Sequence, residues 1–154
     1  MNRNIWDEIR LFFKSGSVVS KLMLINIAVF LVINIFKVFL FLFAVPQSAF
    51  PINEWIGVSS NTGILLQRPW GIFTYMFVQE EFFHIFFNMF MLYVGGRLFI
   101  SYLGEKRLTT TYIIGGLAGA LFFILSLNTF PGFAESKQSA YMIFASASVL
   151  AIFI

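Results

Sequence analysis

The sequence predicts an all-α membrane protein, a bundle of transmembrane helices, and three observations carry that expectation. The composition is 59% hydrophobic and 11% charged, against roughly 45–50% and 25% for a soluble domain. Twenty-two phenylalanines in 154 residues would leave large apolar patches on a soluble protein this small, whereas lipid accepts apolar surface on every side of a helix. The apolar residues also fall in runs of about twenty, the length that crosses a ~30 Å hydrocarbon core. There is no cysteine, which excludes disulfides, thiolate metal sites and cysteine nucleophiles. With a single histidine, the donor set is too small for a protein-built zinc or haem site. The net charge of +3 comes from basic residues scattered along the chain, so no nucleic-acid partner is indicated.

The elements follow in chain order. Residues 4–14, NIWDEIRLFFK, place Ile5, Trp6, Ile9, Phe12 and Phe13 largely on one helical face, with Asp7, Glu8, Arg10 and Lys14 on the rest. That is the pattern of a short helix lying in the membrane interface. Its acidic residues, and the lack of a small-residue cleavage site after an apolar core, distinguish it from a signal peptide. Residues 1–20 are therefore read as an interfacial segment and 21–154 as a transmembrane domain. The first span covers about 22–45 and is interrupted by Asn26, Asn34 and Lys37; Lys37 lies near the distal end, where its stem can snorkel toward headgroups. Residues 46–70 form a long connection containing Pro46, Pro51, Gly57, Gly63 and Pro69, and a stretch of this length is expected to pack on something or to have a function.

The second span is expected at about 77–99, with His84 and Asn88 as its polar interruptions, and the third at about 108–127. In the third, Gly115, Gly116, Gly119, Ala118 and Ala120 offer a close-packing face to another helix. A loop over 128–137, with Pro131 and Gly132, leads to the last segment, 139–154.

The basic residues set an orientation. Arg3, Arg10, Lys14 and Lys21 precede the first span and Arg97, Lys106 and Arg107 lie between the second and third, while the other two connections hold only Arg68 and Lys137. The amino terminus is thus expected on the cytoplasmic side, in a membrane of the bacterial cytoplasmic type. The connection 46–70 and the loop 128–137 then face outward, and Ser146 lies a little below the outer surface. As a helix, 139–154 would rise only ~24 Å, so the sequence is expected to be an amino-terminal fragment of a longer protein.

His84 and Asn88, four apart, share one helical face. Polar groups in a span face a partner or a cavity, and the plain reading of this pair is hydrogen bonding between helices. Ser146 and Ser148 have an equally plain reading as small packing residues. Taken together, a hydroxyl near the outer face and a donor pair on a neighbouring helix are what a serine nucleophile with an oxyanion site requires. A separate base for the serine proton is missing.

The stretch RPWGIFTYMFVQEEFFHIFFNMFMLYVGGRLFISYLGEKRL, with Trp70, Thr74, His84, Asn88, Gly95, Gly96, Leu103 and Gly104, resembles the second-helix region of rhomboid intramembrane serine proteases. FASASVLAI, near the end, is similar to the family's Gly-x-Ser stretch at the start of the fourth helix. The resemblance implies a rhomboid-like helical bundle with four of six expected transmembrane helices present, and a dyad of a fourth-helix serine and a sixth-helix histidine. It implies Ser146 as nucleophile, with His84 and Asn88 stabilising the oxyanion beside the Ser146 N–H. The partners implied are membrane lipid and a substrate that is a transmembrane helix of another protein, cut near the outer surface; no cofactor is implied.

Three positions depart from the family pattern. Phe144 stands in place of the first glycine, Ala147 in place of the second, and Ile100 where many members carry an acidic residue. With no separate base among these residues, the chain by itself is expected to be inactive. The alternative function is a catalytically inactive rhomboid-like protein that binds transmembrane helices without cutting them.

Overall fold

The structure, a computed structural model, describes residues 10, 11, 14, 16–133, 140–142 and 145–154. Most of the expected interfacial segment at 4–14, and Phe144, lie outside the described residues. Three of the apolar runs become helices long and apolar enough to cross a membrane: α1, Val18–Leu42; α5, Phe82–Leu103; and α6, Glu105–Thr129. Between α1 and α5 the chain forms three short helices, α2 (Ile52–Ile56), α3 (Thr62–Gln67) and α4 (Gly71–Thr74), together with β1 (Val58–Ser59). Strand β2 (Tyr141–Met142) and helix α7 (Ser146–Leu150), continued by a 3₁₀ turn over 151–153, complete the described residues.

Helix α1 starts where Ser17 caps it, its hydroxyl accepting from the Ser20 N–H at 3.2 Å. Val19, Asn26, Ile33 and Leu40 recur every seven residues on its buried side, while Leu24, Ile25, Leu31, Val32, Ile35 and Phe36 are exposed. Lipid accepts that exposed face. The helix closes in a Schellman motif, with Val45 N–H on the Leu40 carbonyl (2.9 Å) and Ala44 N–H on that of Phe41 (3.1 Å). Ala44 sits at φ 52°, the left-handed position that glycine usually takes.

Gly104, at φ 83°, is the single residue between α5 and α6. On α6 the buried residues Leu108, Tyr112, Gly116 and Ala120 form an i+4 stripe. Ala118, expected on the packing face, is exposed; two positions from Gly116 and from Ala120, it stands about 200° round the helix from both.

Buried polar groups tie α1 and α6 to each other and to residues 75 and 76. The Tyr112 hydroxyl donates to the Met76 carbonyl (2.7 Å) and accepts from the Asn26 amide (3.2 Å), which also donates to the Leu22 carbonyl (2.8 Å). The Tyr75 hydroxyl donates to the Gly116 carbonyl. In hydrocarbon each of these groups would be costly without a partner. Lys37, read from the sequence as snorkelling, instead makes an ion pair with Glu80 at 2.6 Å, because the chain before α5 returns beside the distal end of α1. Ile100, where the resemblance implies an acidic side chain in many members, packs against the apolar core.

Two expected boundaries move. Residues 75–77 form a 3₁₀ turn, and α5 begins only at Phe82. Within the last segment, Tyr141 and Met142 are extended, not helical, and pair antiparallel with Ser59 and Val58. The cause is the connection 46–70, whose strand offers hydrogen bonds to this stretch before the helix starts.

Candidate active site

The connection after α1 is held by its own side chains. Helix α2 is a turn and a half long and leaves its last carbonyls without helical partners. Three side chains from further along satisfy them in order: Arg68 donates to the Glu54 carbonyl (3.1 Å), the Trp70 indole to that of Trp55 (2.8 Å), and the Thr74 hydroxyl to that of Ile56 (2.7 Å). Arg68 also lies over the Trp55 ring, 4.3 Å from its centroid. Trp70 and Thr74, singled out in the sequence, therefore fasten the connection and do not reach toward a reacting group.

This fastened connection meets the chain leading to α7 at two places. Beyond the β1–β2 pairing, Ser60 donates through both its N–H (3.1 Å) and its hydroxyl (3.0 Å) to the Ala140 carbonyl. Asn128, near the end of α6, donates to the Ser60 carbonyl at 3.0 Å. Further on, the Ala145 N–H donates to the Val78 carbonyl at 3.3 Å. Ser146 follows as the first residue of α7, where backbone N–H groups have no partner inside the helix.

Glycines let α7 approach closely. A Cβ on Gly115 would collide with that of Ala151, and one on Gly119 would lie 2.5 Å from the Cβ of Ala147. Gly115 and Gly119 thus receive Ala147 and Ala151, four apart on each helix, as small-residue packing in membranes requires. On α5, Gly95 faces the Phe153 ring and Gly96 faces Val19, so its glycine-rich end seats both the 3₁₀ turn and α1. The two serines separate by burial. Ser148 is fully buried, its hydroxyl without a hydrogen-bond partner among the described residues and pressed toward Gly116. Ser146 is half-buried.

His84 lies half-buried in the first turn of α5 and Asn88 one turn further on, buried. The Asn88 amide donates at 2.9 Å to Oε1 of Gln79, a fully buried side chain. Helix α5 packs against α7 as well as α1 and α6. Among the sequence candidates, the structure thus links Asn88 to the segment that also holds Ala145, the neighbour of Ser146. Gln79 was not singled out in the sequence. The signal available was an uncharged amide five residues before His84, beside the acidic pair Glu80 and Glu81.

Fold and contacts define a polytopic helical membrane protein in which small residues seat a short serine-bearing helix beside a helix carrying histidine and asparagine. Residues 66–154, more than half of the chain, match the family model of the Rhomboid domain, and the chain belongs to the rhomboid family. Among curated proteins and among solved structures, nothing matches it.

Proposed function

We propose that the chain carries the nucleophile and oxyanion part of an intramembrane serine endopeptidase that cuts transmembrane helices of other proteins near the outer membrane face. The observation that carries this reading is the contrast between two hydroxyls on one short helix. Ser148 is sealed in the α6 interface, whereas Ser146 stands half-buried at the helix start, on a helix packed against the one bearing His84 and Asn88. In the proposed reaction the Ser146 hydroxyl gives its proton to a base and attacks the scissile carbonyl. The oxyanion accepts from the Ser146 N–H, His84 and Asn88; collapse of the intermediate expels the amine, which takes the proton from the base, and water, deprotonated by the same base, then hydrolyses the acyl-enzyme and frees Ser146.

A second reading, a rhomboid family protein that binds transmembrane helices without cutting them, is favoured by Phe144, which stands where the family resemblance has a glycine. His84 is the single histidine in the 154 residues, and in the first reading it is committed to the oxyanion. The base would then be the sixth-helix histidine that the family resemblance implies. Expression of the complete gene in membranes and treatment with a serine-directed fluorophosphonate tests both readings. Labelling that disappears in Ser146→Ala supports the protease; no labelling of the unsubstituted protein overturns it in favour of the non-cutting reading.

A further inference from the structure

Gln79 is fully buried at the point where three parts of the fold converge. Its Oε1 accepts from the Asn88 amide at 2.9 Å. Its immediate neighbour Val78 accepts the Ala145 N–H at 3.3 Å. Its other neighbour, Glu80, is ion-paired with Lys37 of α1 at 2.6 Å. Its Nε2 has no hydrogen-bond partner among the described residues. A buried primary amide left half-satisfied is costly, and such a group in a native fold calls for an explanation, a role at a site among them.

An asparagine amide nitrogen has two N–H groups. With one donated to Gln79, the amide plane of Asn88 is fixed, and the second N–H has a defined direction. A free Asn88 amide would rotate about its terminal torsion, which is broad and shallow. Stabilisation of a developing oxyanion depends on donors that are oriented before charge appears.

We infer that Gln79 is a positioning residue of the reaction: it orients the Asn88 amide toward the oxyanion and ties that orientation, through the Val78 carbonyl, to the start of the serine helix. The inference rests on the protease reading. Gln79 touches no reacting atom and acts through Asn88.

The test is a double-variant cycle on the protein from the complete gene, reading the second-order rate of fluorophosphonate labelling alongside thermal unfolding. Gln79→Met, close in size and without an acceptor, is expected to slow labelling about tenfold or more, the scale of a misdirected catalytic group. In the Asn88→Ala background the same substitution is expected to cost nothing further, since the amide it orients is gone. Gln79→Glu keeps an acceptor oxygen and is expected to recover part of the lost rate; its own cycle with Asn88→Ala gives the coupling if Gln79→Met does not fold. Equal losses in both backgrounds overturn the positioning role and leave Ser146 as nucleophile. Absence of Ser146-dependent labelling in the unsubstituted protein overturns the protease reading and the positioning role with it.

Discussion

Lys37 Nζ lies 2.6 Å from Glu80 Oε1, an ion pair that joins the first long helix to the turn before the second. Both side chains are about a quarter exposed, at 28% and 24%, so solvent screens the pair in part. A cycle of Lys37→Met and Glu80→Gln, read by thermal unfolding in detergent, should give a favourable coupling on the order of 1 kcal/mol. It should shrink at high salt.

Ala44 holds a left-handed conformation at the end of α1. Ala44→Gly removes the Cβ conflict and keeps both hydrogen bonds of the motif, so stability should rise by about 1 kcal/mol. A higher midpoint in thermal unfolding is the expected result.

The contact between Gly119 and Ala147 leaves no room for a methyl group. Gly119→Ala should cost about 1–3 kcal/mol by overpacking, and should slow fluorophosphonate labelling because the displaced helix carries Ser146. A matching substitution at Gly132, which has open space around it, should change neither.

Ser148→Ala removes a buried hydroxyl that has no partner among the described residues. Stability should be unchanged or up to about 1 kcal/mol higher, with labelling retained. Ser146→Ala should abolish labelling. The reverse pattern would assign the nucleophile to Ser148.

The basic residues predict opposite sides for the two ends of α5. Since the sequence holds no cysteine, Thr62→Cys and Lys106→Cys, both at exposed positions, can be probed singly with a membrane-impermeant maleimide. Intact cells should be labelled at position 62 and not at 106; the opposite result would invert the orientation.

The long helices were legible because hydrophobic composition and run length are local properties. The glycine face of the third was legible for the same reason, apart from Ala118, where a list of small residues ignored the 100° step of the helix. The pairing of Met142 with Val58 was not, since two residues are too few for an alternating pattern and the partner lies far away in sequence. Lys37 looked like a snorkelling cation because Glu80 is 43 positions away. The spacing of His84 and Asn88 on one helical face is likewise a local property, legible without the fold. Gln79 escaped because its role depends on Asn88 and Ala145 together, which only folding brings near it.

The connection after α1 grips the approach to Ser146 at two points, Val58–Ser60 on Ala140–Met142 and Val78 on Ala145. Between those grips, Arg68, Trp70 and Thr74 knit the connection to itself. A shift of this surface segment would therefore pull on the residue beside Ser146. Loop and serine helix are geared to one another, and a displacement of either strains the hydrogen bonds that join them.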